Sequence, residues 1–290
     1  MSLAAQQEAQ YSQYMYNTIA INPAYAGTRE AMTALVLHRS QWLGLPGSPK
    51  TNMFSLHTPL PRTNLGIGVG FINDEIGPTI ENQFAIDFSY GLKLTQTAQL
   101  NFGLKTSFFN RKFNSELLDI FDPTDPIFQS NLVYSFQPNF GLGAYYFTDV
   151  YYLGISSPNM INTPNHVNEN TVLGEEYRHL YLMGGYVFNL NKVLKFKPAF
   201  LVKAVGGTPL QTDLSANFLY NEQVTFGLAY RWNAALSAMA GFQLTKTFFL
   251  GYAYDADVTP LFPHNKGSHE FFLRYDFVFN LKHINNPRFF

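Results

Sequence analysis

Apolar and polar residues alternate along most of this 290-residue chain. In 98–108, Leu100, Phe102, Leu104 and Phe108 share one face, and Asn101, Gly103, Lys105 and Ser107 fall between them. The same period of two recurs in Leu65–Phe71, Phe84–Leu92, Val224–Trp232, Phe248–Tyr254 and Phe271–Phe277. A period of two predicts a strand with two unlike faces, whereas a helix needs a period near 3.6. About fourteen segments are predicted: 31–42, 50–59, 64–74, 80–94, 98–113, 134–147, 150–157, 176–189, 193–205, 209–220, 223–232, 234–245, 247–257 and 268–280. The first two alternate poorly, which leaves their faces unassigned. Strands of soluble sheets commonly have about five or six residues; a membrane-spanning strand needs about 9–11, the length of many of these segments.

Connection lengths alternate as well. "PRTN" (61–64), "TQTA" (95–98), "TD" (148–149), "NK" (191–192), "NEQ" (221–223) and "TKT" (245–247) are tight turns, whereas 43–49, 113–133, 158–175 and 258–267 are longer joins. Short turns at one end and longer loops at the other are the signature of an outer-membrane barrel. An even strand count then puts both termini on the short-turn, periplasmic side.

Composition decides which face is oily. Charged residues are 13%, about half the share usual in soluble domains, and aromatics reach 17% with Phe 28 and Tyr 18. A soluble β-sandwich, the competing all-β reading, would bury its aromatics and carry many Lys and Glu on its wet faces. Here the polar faces are Gly, Ala, Ser, Asn and Gln with isolated charges, which fits a crowded, curved interior. The expected fold is therefore an all-β transmembrane antiparallel barrel of about fourteen strands over 31–280, oily face outward. Closure satisfies the backbone and removes sheet edges. Trp42, Tyr90, Tyr146, Tyr220, Trp232, Tyr254 and Tyr275, near strand ends, suit the interfacial girdles. The alternation points Asp87, Lys93, Lys105, Lys195, Lys197, Lys203, Asp213, Arg231, Asp255, Arg274 and Asp276 inward. Such charges either bind or pass a polar segment or are ion-paired filler that props the barrel.

Ahead of the barrel, 10–30 is aromatic and short of strand alternation, and Asn22-Pro23-Ala24 is a turn signal. It is expected to fold into or under the barrel as a plug, the alternative being a surface-lying aromatic arm. Residues 1–30 are thus expected to form a leader remnant and plug; "SLAA" before Gln resembles the end of a signal peptide, the alternative being an ordinary cytoplasmic start. After the barrel, 281–290 is expected to form a periplasmic tail whose Arg288, Phe289 and Phe290 either invite a partner or pack on the rim.

Other chemistry is sparse. There is no cysteine, which excludes disulfides, thiolate metal sites and cysteine nucleophiles. No apolar run of about 18 residues is present to make a membrane helix. A net charge of −1 gives no field for nucleic acid. The seven His form no metal-binding pair spacing, and no nucleophile-elbow motif occurs. "DPTDP" (122–126) is either a turn or a pair of calcium-binding carboxylates. No catalytic residue, metal or cofactor is expected.

"YSQYMYNTIAINPAYAGTRE", "RSQWLGLPGSPKTNMFSLHTPL", "LGIGVGFINDEIGP", "PNFGLGAYYF", "LKFKPAFLVKAVGGTPLQTDLSANFLYNE" and "GSHEFFLRYDF" together resemble the PorP/SprF family, outer-membrane proteins of the type IX secretion system of Bacteroidetes. The resemblance runs from about Tyr11 to the final residues. The triplet Asn22, Pro23, Ala24 also looks like the hatch motif of FadL-type fatty-acid transporters. What the resemblance implies is a non-enzymatic outer-membrane component that binds, exports or anchors a secreted, adhesin-like cargo through its C-terminal domain. Its partners would be that cargo domain, the outer-membrane translocon or periplasmic ring of the secretion machine, and outer-membrane lipid. The alternative is a FadL-like channel for a small or hydrophobic solute. Loops 113–133 and 158–175 hold the sequence least needed for spanning or turning, and function concentrates in such loops. Asn162, Asn165, His166, Asn168 and Asn170 are the cargo-contact candidates.

Overall fold

The computed structural model describes residues 10–29, 31–114, 132–168, 171–176 and 178–277. The alternating segments become strands: β1 (Met32–Ser40), β2 (Lys50–Pro59), β3 (Leu65–Ile76), β4 (Thr79–Lys93), β5 (Gln99–Phe113), β6 (Leu132–Phe147), β7 (Tyr151–Ser157), β8 (Thr163–Asn168), β9 (Thr171–Glu176), β10 (His179–Tyr186), β11 (Phe188–Asn189), β12 (Leu194–Val205), β13 (Gln211–Tyr220), β14 (Val224–Arg231), β15 (Ala235–Gln243), β16 (Phe248–Asp257) and β17 (Ser268–Phe277). Each wall strand pairs antiparallel with the next. β1 pairs with β17 from Met32↔Phe277 to Ser40↔His269, which closes the ring.

The wall has fourteen strands, because β10 and β11 are one strand broken at Val187. The break has a physical cause. Gly185 pairs with Ala199 and Phe188 with Phe196, so the interruption faces Lys197 and Pro198. Pro198 has no N–H to give to the ladder on that side. The hairpin β8–β9 is a separate two-stranded sheet within the β7–β10 connection. The sequence reads this stretch as loop, because it lacks the apolar alternation that marks wall strands.

The two faces are as the composition predicts. Phe102 and Leu104 are 49% and 45% exposed on the outer wall, while Asn101 and Lys105 are buried inside. Along β5 the outward stretch from Leu100 to Phe108 covers about 27 Å, or roughly 20 Å of depth at a tilt near 40°, close to the apolar band of such barrels. Among the described residues no helix is long and apolar enough to cross a membrane. Crossing by strands needs none.

The inner face departs from the expected small polar lining. Leu35, Leu37, Met53, Tyr145, Tyr152, Tyr181, Phe249 and Phe272 point inward and are buried. They meet Tyr11, Tyr14, Met15, Tyr16, Ile19 and Ile21 in one apolar cluster. β1 alternates poorly for this reason, since Leu35 and Leu37 on its inner side are apolar where they pack on residues 10–29; β2 alternates poorly because Met53 faces inward while Asn52 and Thr58 fall on the outer side.

Candidate functional site: the filled lumen and the loop rim

Residues 10–29 run through the ring from end to end. At the loop side Gln10 Nε2 donates to Gln211 Oε1 (2.9 Å) at the start of β13. At the turn side Arg29 Nη2 donates to Asp276 Oδ2 (2.9 Å) near the end of β17. Strand parity fixes only where β1 starts and β17 stops. The first described residue, Gln10, stands at the opposite rim.

The segment's local structure follows from its sequence. A single helical turn, α1 (Thr18–Ile21), is followed by a 3-10 turn, Pro23–Tyr25. Asn22 caps that turn, its Oδ1 accepting the Ala24 N–H at 3.0 Å, and Pro23 occupies the first position, where a missing N–H costs nothing. The Asn22 Nδ2 group donates to the carbonyls of Ala144 (3.1 Å) and Ile155 (3.5 Å) on β6 and β7. Asn101 Nδ2 donates to the Ala24 carbonyl (3.2 Å). The triplet predicted as a hatch thus ties the segment to three wall strands. Backbone approaches here are close: a Cβ on Gly103 would collide with Pro23 and Ala24, and one on Gly143 with the Asn22 side chain.

Ion pairs hold both ends. At the loop end Arg39 contacts Asp255 (2.7 Å) and Glu270 (3.1 Å), all buried. The backbone N–H groups of Ser12 and Gln13 donate to the two Glu270 oxygens (2.9 Å each), and Ser12 Oγ donates to Asp255 (2.6 Å). At the turn end Asp276 accepts from Arg29 and from Thr33 Oγ1 (2.7 Å), with Arg274 at 3.5 Å. Midway, Lys105 pairs with Asp87 (3.3 Å) and donates to the Ile19 and Ala20 carbonyls (3.3 Å each). Arg231 pairs with Asp213 (3.0 Å). Here, of the two readings of the inward charges, they brace the wall and bind the chain's own segment.

Nine of the eleven charges predicted to face inward are buried: Asp87, Lys105, Lys197, Lys203, Asp213, Arg231, Asp255, Arg274 and Asp276. Lys93 is exposed at the turn end of β4, and Lys195, on β12, pairs with the exposed Glu222 at 2.6 Å. Arg29, Arg39, Asp257 and Glu270 are buried as well, and the alternation does not assign them. Arg29 precedes the first strand and Arg39 lies on poorly alternating β1, whereas Asp257 and Glu270 sit at strand ends just outside the stretches Phe248–Tyr254 and Phe271–Phe277, in phase with their inward faces.

Gaps of about 20 Å³ beside Tyr14, Lys203 and Arg231 and about 10 Å³ beside Ile19, Asp87 and Lys105 are described, the scale of single waters. Of the loop candidates, exposed Asn162 accepts the Arg178 N–H through Oδ1 (3.2 Å). Asn165, His166 and Asn168 lie on the backbone of β8. Asn170, the carboxylates of 122–126 and the tail residues Arg288, Phe289 and Phe290 fall outside the described residues.

The model of the family described as "Type IX secretion system membrane protein PorP/SprF" matches residues 3–275. The chain belongs to the PorP/SprF family. As a PorP/SprF protein it is an outer-membrane barrel of the type IX secretion system. No curated protein matches it. Solved structures share the fold at low identity. The Ralstonia pickettii toluene transporter TbuX has 10% identity and TM-score 0.53, covering 91% of this chain and 93% of that one. The monoaromatic hydrocarbon channel CymD has 12% identity and TM-score 0.53, covering 94% of both chains. A Pseudomonas aeruginosa FadL homologue has 13% identity and TM-score 0.50, covering 89% and 93%.

Proposed function

We propose that this PorP/SprF protein is a non-enzymatic docking component of type IX secretion. Its lumen is plugged by residues 10–29, and it receives or anchors a secreted cargo C-terminal domain at the long-loop face. Both termini of the barrel wall, at β1 and β17, would face the periplasm, where other parts of the machine are within reach. The observation that carries this reading is the burial of residues 10–29 among inward-facing wall residues. The buried, hydrogen-bonded course of residues 10–29 among the wall strands supports a barrel without a conduit, whose specificity belongs to the surfaces around it. The 158–178 connection, with its own hairpin, is the surface with most structure to spare.

The test is deletion of 160–172. We expect the barrel to remain inserted and heat-modifiable, with cargo released into the medium rather than displayed. Normal surface display would end this assignment. The second reading, a solute channel, draws on the fold shared with a toluene transporter and a hydrocarbon channel. Planar-bilayer recording separates the two: the docking reading predicts conductance near zero, and a channel predicts steady open events.

A further inference from the structure

Two rows of residues cross the outer wall of β1–β5 just below the long loops. Val36, Phe54, Phe71, Phe84 and Phe108 stand opposite one another in register, with Phe71 and Phe84 rings 5.4 Å apart. Two residues further toward the loops, the paired positions are His38, Asn52, Asn73, Asn82 and Asn110. His38 Nδ1 lies 2.8 Å from Asn52 Oδ1, Asn52 Nδ2 donates to Asn73 Oδ1 (3.3 Å), and Asn73 Nδ2 donates to Asn82 Oδ1 (3.0 Å). Beyond β1 the same row continues as Phe271, Tyr252, Ala240 and Phe226, so on that side the amides stop at β2.

An amide carries two N–H donors and an oxygen with two lone pairs. Spent on one donated and one accepted bond, Asn52 and Asn73 each keep a donor and a lone pair facing outward. Such groups are costly in hydrocarbon, so the row lies where lipid heads begin, on the loop side. Four inter-strand steps make it about 19 Å long, a repeating strip of donors and acceptors rather than a single contact. One phosphodiester head offers mainly acceptors at one point. A sugar head offers hydroxyls, which both donate and accept, at successive ring positions, above acyl chains that pack on the Phe row. Lys50 and Lys112 lie one step further out in the same registers, with Glu75 opposite Lys50, so the margin is charged and wet.

We propose that the strip His38–Asn52–Asn73–Asn82–Asn110 binds the sugar headgroup of an outer-leaflet glycolipid. The experiment compares full-length wild type with Asn52→Leu/Asn73→Leu/Asn82→Leu in nanodiscs of phospholipid doped with lipooligosaccharide, counting retained lipids by native mass spectrometry. Retained lipooligosaccharide is expected to fall about tenfold in the variant, with phospholipid retention unchanged and the heat-modifiable barrel intact. Where the triple variant fails to fold, Asn73→Leu against Asn73→Gln is read the same way, with Gln expected to restore binding. Equal glycolipid retention in the folded variant and wild type overturns the proposal. So does a variant that keeps its glycolipid but loses a co-purifying protein, which would make the strip a protein interface.

Discussion

Replacing Arg39 by Met tests the clamp at the loop end of the lumen. The Arg39 side chain is 3% exposed, and its partners Asp255 and Glu270 are 3% and 0% exposed. Met keeps most of the apolar stem, so packing changes little. What is lost is the guanidinium between two buried carboxylates; breaking a buried pair costs about 3–5 kcal/mol because a charge is left uncompensated. Ser12 Oγ and the Ser12 and Gln13 N–H groups still donate to those carboxylates, so the expected loss is near 3 kcal/mol, the lower end of that range. The assay is urea unfolding in detergent micelles, followed by the heat-modifiable gel shift. Adding Glu270→Gln should recover at least about 1 kcal/mol, since contacting groups of one network couple by about 0.5–3 kcal/mol. An Arg39→Met protein within about 0.5 kcal/mol of wild type, the range of an ordinary surface change, would refute the argument that these charges hold the segment.

Three further outcomes follow from the same geometry. Gly103→Leu collides with Pro23 and Ala24 and should expel the segment while leaving the wall closed; protease then cuts residues 10–29 in the variant and spares them in wild type. Asn22→Leu removes the cap and two bonds to the wall and should cost about 1–3 kcal/mol for the buried groups left unpaired, read as a lower urea midpoint. Trp232, 61% exposed at the loop end of β14, should be strongly quenched by brominated lipid, and an unquenched signal would place that rim outside the bilayer.

The wall was legible because lipid and lumen make opposite demands on neighbouring residues: Phe84 to Leu92 could be assigned to faces from sequence alone. Legibility failed where a strand meets apolar groups on both sides. Leu35 and Leu37 of β1 pack on residues 10–29, so β1 shows no clean period and Arg39 is not assigned a face. The Asn22-Pro23-Ala24 turn could be read from local chemistry, but its wall partners could not, because Ala144 and Ile155 offer only backbone carbonyls. The direction of the segment was hidden for a similar reason. Parity counts strands and says nothing of a chain that doubles back through the middle.

Absence of cysteine makes one measurement direct: spin labels at single cysteines in Leu100→Cys, Asn101→Cys, Phe102→Cys and Leu104→Cys, scanned for oxygen accessibility in bilayers. Labels at 100, 102 and 104 should collide freely with lipid-dissolved oxygen, and the label at 101 should be shielded. Shielding at 102 and 104 with free collision at 101 would turn the wall inside out and contradict the account.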